Sequence, residues 1–236
     1  AYKADGSIIV SGHRGGREKG YPENSLEGFK NIIGRMTAIF EIDPRLTKDS
    51  VIVLMHDATL DRTTSGKGKL VDYTWNELQH IRLKDSEGNV TPYKIPTLEE
   101  VILWSKGKTI VNLDKKDVPM EQIADLIRKL DAADYVMLTV HTGAQARYYY
   151  DRFPEILLSV FARNWKEYED IAISGVPWKN MIAYVGPSIN DENRKIVDLL
   201  HSHGVRCMIS VAPTHDKLAS AADRHSKYLM EIATHP

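Results

Sequence analysis

Two carboxylates, Glu41 and Asp43, stand two residues apart in a short apolar run spanning 38–45. On a strand, residues i and i+2 share a face, so both side chains project the same way. Carboxylates crowded at the end of a buried strand repel each other and lose hydration, and a bound cation is the usual remedy. Asp114 and Lys116 repeat the spacing in Asn112-Leu113-Asp114-Lys115-Lys116 and would add a third carboxylate and an ammonium over the same mouth. The alternative is that all four are solvated strand-end charges that never meet. His13 and Arg14 occupy the glycine-rich turn Gly12-His13-Arg14-Gly15-Gly16, whose glycines allow close backbone approach to a ligand. His56 closes the apolar run 51–55, and a hairpin from the Glu41/Asp43 strand would return it beside that pair. Two histidines near a carboxylate-held metal, with Arg14 and Lys116 as fixed cations, are what acid–base cleavage of a phosphate ester needs. Three carboxylates, a divalent cation and two basic side chains leave one net positive charge. A singly charged phosphodiester neutralises it; a phosphomonoester dianion fits less well.

Such residues need a scaffold that gathers strand ends. The chain has 236 residues, 42% hydrophobic and 27% charged, enough for one large domain with a sizeable core. Lys and Arg number 31 against 32 Asp and Glu, a net charge of −1, which removes nucleic acid from the expected partners. No apolar run approaches the ~20 residues of a membrane helix, so no span is expected. The single cysteine, Cys207, excludes an intramolecular disulfide and reads as a buried small hydrophobe. The chain opens on Ala1, which fits a removed targeting segment or a trimmed sequence, and a periplasmic or secreted location is expected over a cytoplasmic one.

Strand runs at 7–10, 38–45, 109–113, 135–140, 156–161, 181–185 and 205–211 alternate with amphipathic stretches such as 120–130 and 193–201. The run 51–55 pairs with 38–45 through a short turn. Asn24 or Ser25 can cap a helix carrying Leu26, Phe29, Ile32 and Ile33, and Pro96 opens another. Residues 57–95 are polar and glycine-rich, with one helix near 75–80, and read as an insertion. The pattern predicts an α/β fold, a TIM (β/α)8 barrel with a small insertion after strand 2, in one domain over 1–236. An eighth strand is not visible. After a helix-like segment at 217–222 only 228–232 remains before Pro236.

Taken in order, His13-Arg14-Gly15, Pro22-Glu23-Asn24-Ser25, Glu41-Ile42-Asp43 with Leu46-Thr47, and His56-Asp57 with Leu60-Asp61-Arg62-Thr63-Thr64-Ser65-Gly66 resemble the glycerophosphodiester phosphodiesterase family. Ile95-Pro96-Thr97-Leu98-Glu99-Glu100-Val101 and Asn112-Leu113-Asp114-Lys115-Lys116 continue the resemblance over residues 8–116. It implies a TIM barrel that hydrolyses small-molecule glycerophosphodiesters to glycerol 3-phosphate and an alcohol. It also implies His13 and His56 as the acid–base pair, and Glu41, Asp43 and Asp114 as ligands of one Mg²⁺ or Ca²⁺. Arg14 and Lys116 would hold the phosphate.

Three departures stand against the family pattern. The third ligand is usually Glu, one methylene longer than Asp114. The closing Thr-Asp-x-Pro-like signature does not appear, which implies an unusual closure or a natural chain continuing past Pro236. Met208-Ile209-Ser210 stands where a tryptophan is often found. A related phospholipase acting on phosphatidylinositol or lysophospholipids, or a non-catalytic phosphate-binding barrel, are the competing readings. An intact histidine pair argues against the last, since binding needs no proton transfer. The sequence leaves the oligomeric state open.

Overall fold

The His13–Arg14 turn rests on an aromatic ring, and much of the surrounding architecture serves that seat. The computed structural model describes residues 9–16, 18–210, 212–215 and 220–233. The chain divides into two compact units, 1–137 and 138–236, and every candidate site residue from His13 to Lys116 lies in the first. There β1 (Ser11–Gly12) runs directly into a single 3-10 turn, His13–Gly15. Next come α1 (Leu26–Ile33), β2 (Ile39–Ile42), β3 (Pro44–Leu46), β4 (Ile52–Leu54), α2 (Trp75–Leu78) and α3 (Leu98–Ser105). β5 (Val111–Leu113), α4 (Met120–Leu130) and the start of β6 (Val136–Val140) complete the unit. The second unit holds the rest of β6, α5 (Gly143–Tyr150), β7 (Leu157–Phe161), α6 (Trp165–Ala172) and β8 (Met181–Gly186). It continues through α7 (Arg194–Ser202), β9 (Arg206–Ile209), α8 (Ala212–His215) and α9 (Ala221–Ile232).

The strand order is β1-β2-β5-β6-β7-β8-β9, with β1–β2, β2–β5, β7–β8 and β8–β9 paired in parallel. β3 and β4 form a separate antiparallel pair. Sequential parallel strands alternating with helices are the order of a (β/α) barrel, and the fold is α/β of that type, with seven such strands among the described residues.

Local chemistry explains the elements around the site. Ser25 caps α1: its Oγ accepts the Gly28 N–H at 3.0 Å and donates to the Pro22 carbonyl at 2.7 Å. The buried face of α1 presents Phe29, whose ring stacks on Phe40 of β2 at 4.9 Å and tilts against Trp104 of α3 at 5.9 Å. Gly15, at φ +74°, lies over Phe29, and a Cβ there would fall 1.9 Å from the ring. Only glycine lets the turn sit so low. Between β3 and α3 the chain builds a small core of its own from Val53, Met55, Leu60, Leu70, Leu78, Leu83 and Ile95.

Several boundaries differ from the sequence reading. The first strand is Ser11–Gly12 rather than 7–10, of which 7 and 8 lie outside the described residues. The 38–45 run breaks after Ile42, because Asp43 turns toward the site and β3 leaves to pair with β4. Pro96 does not open α3. Thr97 caps it in a reciprocal box with Glu100, so the proline lies one residue outside. Ala221–Ile232 is one helix, α9, and 217–219 fall outside the described residues.

Because Ser25 both caps α1 and satisfies the Pro22 carbonyl, Ser25→Ala should destabilise the fold by about 1–2 kcal/mol. The urea midpoint would fall with the m-value unchanged. An unaltered midpoint would contradict this account of the α1 N-terminus.

Candidate active site

Parallel register brings the carboxylates together. β2 pairs with β5 through Glu41↔Asn112 and Ile42↔Leu113, and the Asp114 N–H donates to the Ile42 carbonyl at 2.9 Å, which sets Asp114 beside Asp43. Glu41, Asp43 and Asp114 each offer an oxygen within 4.8 Å of the others. Asp43 is fully buried. Its Oδ2 accepts from the Asn24 side-chain amide at 2.7 Å, while its own N–H donates to Asn24 Oδ1 at 3.1 Å. Asn24 holds φ +53° to do this, in the left-handed region that asparagine tolerates. Glu41 accepts the Arg14 backbone N–H at 2.8 Å.

This donor set fits a divalent cation. Burial first, and then the charges of Asp43 and Asp114, push the Glu41 carboxyl up to about 8, against the pull of the Arg14 N–H and the Lys116 ammonium. Asp43 Oδ1 is buried without a hydrogen bond, and Lys116 Nζ at 3.1 Å gives it charge but no aligned donor. Three converging hard oxygens, one of them unsatisfied and another protonated for want of positive charge, are the ligands that Mg²⁺ or Ca²⁺ takes. Lys116 also donates to Asp114 Oδ2 at 2.5 Å. Burial works against its charge, but the hydrogen bond to Asp114 and the field of Asp43 outweigh it, so its pKa rises.

The histidines arrive from two sides. His13 sits on the turn after β1, and the fields of Arg14, Asp43, His56 and Glu23 all reach it. Partial burial, aided by the Arg14 charge, lowers its pKa, so its imidazole is neutral at pH 7 and ready to take a proton. His56 follows β4, whose pairing with β3 returns the chain: the Met55 N–H donates to the Asp43 carbonyl at 2.8 Å, and Arg45 Nε donates to the His56 carbonyl at 2.9 Å. The hairpin therefore performs the return that the sequence predicts. His56 Nδ1 lies 2.7 Å from Asp57 Oδ1.

Arg14 is held rather than free. Its Nη1 donates to Glu23 at 3.2 Å, while its Nε, 4.0 Å from Asp43, is buried without an acceptor. Glu23 is buried and also accepts Arg62 through both oxygens, at 2.8 and 3.0 Å. Burial would raise the Glu23 pKa, but Arg62 and Arg14 bring it below the ordinary carboxylate value.

All seven predicted site residues thus meet in one unit. Among the supporting residues, Glu23, Asp57 and Arg62 carry no individual role in the sequence reading, and Asn24 appears there only as a candidate helix cap. Their types were visible, but nothing in the sequence says that position 62 comes back to 23 across 39 residues. Away from the site, Tyr149 is the buried ring of the run Tyr148-Tyr149-Tyr150 in α5. His203 stacks on Trp178 at 4.9 Å, and buried Cys207 has its thiol pushed up to about 12.

Fold and site together define an α/β barrel-type protein with a carboxylate cluster that could hold a cation, accompanied by two histidines and two ion-paired basic side chains. The Glycerophosphoryl diester phosphodiesterase family matches residues 13–209, and the chain belongs to that family. A glycerophosphodiester phosphodiesterase of Bacillus altitudinis is 27% identical over 206 residues, covering 82% of this chain and 81% of that protein. The crystal structure of a glycerophosphoryl diester phosphodiesterase from Parabacteroides distasonis is 56% identical, with a TM-score of 0.95, over 98% of this chain and 81% of that one. An Oleispira antarctica phosphodiesterase, solved with its product sn-glycerol 3-phosphate, shares the fold at 20% identity and a TM-score of 0.66, over 94% of this chain and 89% of that one.

The raised Glu41 pKa has a measurable consequence. The folded, cation-free protein keeps a proton on Glu41 up to pH about 8, whereas the unfolded chain releases it near 4.5. The folded state binds more protons across that window, so this group's contribution to stability falls as pH rises. A cation must displace the proton, so the stabilisation it provides grows over the same range. Melting with EDTA or with excess MgCl₂ should show a larger Tm gain at pH 8 than at pH 6. Equal gains would refute the assignment.

Proposed function

We propose that this chain hydrolyses glycerophosphodiesters to glycerol 3-phosphate and an alcohol, using one divalent cation held by Glu41, Asp43 and Asp114. The observation that carries this reading is the convergence of those three carboxylates within 4.8 Å of one another, beside His13. The cation would neutralise the carboxylates and polarise the phosphoryl oxygens. His13 and His56 divide the proton work: one takes the proton from the attacking water, or from the substrate's own 2-hydroxyl with water then opening the cyclic phosphate, and the other returns one to the departing alkoxide as the P–O bond breaks. Arg14 would present two parallel donors to the phosphate and Lys116 a point charge. Both are preassembled on the acids of the site, Arg14 on Glu23 and Lys116 on Asp43 and Asp114.

Three carboxylates are a sparse protein ligand set for an ion such as Ca²⁺, which takes six to eight oxygen ligands. Mg²⁺ binds through few carboxylates and keeps its waters. Glycerophosphocholine turnover by EDTA-stripped protein should therefore return with Mg²⁺ at least as well as with Ca²⁺. Recovery with Ca²⁺ and never with Mg²⁺ would overturn the Mg²⁺ preference. The catalytic assignment has its own check: His13→Ala and His56→Ala should each lower kcat by about 10²–10⁴-fold with the fold retained. Near-normal turnover in both variants would sink it.

A further inference from the structure

We propose that Asp57 and Arg62 are positioning residues for His56, Asp57 by fixing which ring nitrogen carries the proton and Arg62 by pinning Asp57 to the buried Glu23. The proposal rests on the assignment of His56 to proton transfer made above. Asp57 Oδ1 lies 2.7 Å from His56 Nδ1. Arg62 grips Asp57 with two nitrogens, Nε at 2.7 Å from Oδ2 and Nη2 at 3.0 Å from Oδ1. Its Nη1 and Nη2 reach both oxygens of Glu23. Glu23 in turn holds Arg14. An unbroken chain of charged contacts therefore runs from Arg14 through Glu23, Arg62 and Asp57 to His56.

The chemistry of each contact decides what it does. Hydrogen bonds from Arg62 keep the Asp57 carboxyl well below the usual carboxylate range, so it is ionised at neutral pH. An ionised carboxylate only accepts, so His56 Nδ1 must carry the proton and Nε2 is the nitrogen left to exchange protons with substrate. Stability is a poor explanation for the contact between Arg62 and Asp57. The Arg62 side chain is 41% exposed and Asp57 26% exposed, and exposed ion pairs contribute little. Geometry is the better one. A planar guanidinium that engages two carboxylates at once fixes their relative orientation in a way an ammonium cannot. Arg62 is itself set by a tight local turn, where the Thr64 N–H and Oγ1 both bond the Leu60 carbonyl, at 3.1 and 2.6 Å, and Thr63 Oγ1 contacts Met55 Sδ at 3.2 Å. The small core between β3 and α3 holds that turn in place.

The test is a mutant cycle on glycerophosphocholine turnover in the Mg²⁺-loaded full chain, with wild type, Asp57→Asn, His56→Ala and the double variant. A residue that acts only through His56 loses its effect once the histidine is gone. Asp57→Asn should lower kcat by about 10²-fold or more, bounded by the loss in His56→Ala, with KM little changed. In the His56→Ala background it should cost nothing further. Arg62→Ala should cost about 10–100-fold and Arg62→Lys less, since charge without the fork restores only part of the geometry. A structural role would instead multiply losses in both backgrounds. Side-chain ¹⁵N spectra give a readout independent of turnover: neutral His56 should be protonated at Nδ1 in wild type and lose that preference in Asp57→Asn. If Asp57→Asn fails to fold, the Arg62 variants and the wild-type spectrum carry the test. Full turnover by His56→Ala overturns the His56 assignment, and this proposal with it. Loss in His56→Ala with Asp57→Asn at wild-type kcat, an equal Asp57→Asn penalty in both backgrounds, or an Nε2-protonated His56 in wild type each overturns the proposal alone.

Discussion

Like charge at close quarters governs this unit. Three carboxylates whose oxygens lie within 4.8 Å of one another, one of them on a fully buried side chain, cannot all ionise without compensation. The surroundings supply it piecemeal: the Arg14 N–H to Glu41, the Asn24 amide to Asp43, the Lys116 ammonium between Asp43 and Asp114. It is still incomplete, since Glu41 retains its proton to about pH 8 and Asp43 Oδ1 finds no aligned donor. A site left short of positive charge in this way is one that a cation would complete. Stability and cation affinity are then two readings of one electrostatic imbalance.

The backbone is arranged to create that imbalance. Parallel pairing of β2 with β5 fixes Asp114 against Ile42, and the departure of β3 turns Asp43 inward rather than onward along the sheet. The turn bearing His13 and Arg14 can donate to Glu41 only because Gly15 packs without a side chain onto Phe29, whose stack on Phe40 ties α1 to the strand that carries Glu41. A methyl group at Gly15 would lift the turn away from the carboxylates. Core packing and site electrostatics are thus coupled through a single aromatic contact.

The alternation of strands and helices, the hairpin after β2 and the seven residues of the site were legible because each depends on local periodicity or on strand-end position. What stayed hidden depends on tertiary register. Asn24 and Ser25 both read as helix caps, and only the fold shows that Ser25 caps while Asn24 leaves the helix to hold Asp43. Pro96 read as a first helical residue because the capping box between Thr97 and Glu100 competes for the same short stretch. Arg62 and Glu23 belong to separate segments, so their pairing is invisible without coordinates. The 57–95 segment looked like a polar insertion, yet it buries Leu60, Leu70, Leu78 and Leu83 in a core of its own.

That small core gives the second charge cluster a different character from the first. Glu23 and Asp57 are matched by Arg14 and Arg62 through explicit hydrogen bonds, so these two carboxylates are compensated by side chains alone and call for no cation. The carboxylate triad is undersupplied, and its one ammonium, Lys116, is shared between two of its members. A divalent ion drawn to the triad would compete with Lys116 for the same oxygens of Asp43 and Asp114, since two cations at hydrogen-bond range of one carboxylate repel each other. Arg14 is anchored on Glu23, and its Nε stays 4.0 Å from Asp43, beyond hydrogen-bond range, so it feels that competition less. The two cationic groups of the site are therefore not equivalent: Arg14 is fixed by a network that ends at His56, while the position of Lys116 is tied to the charge state of the triad.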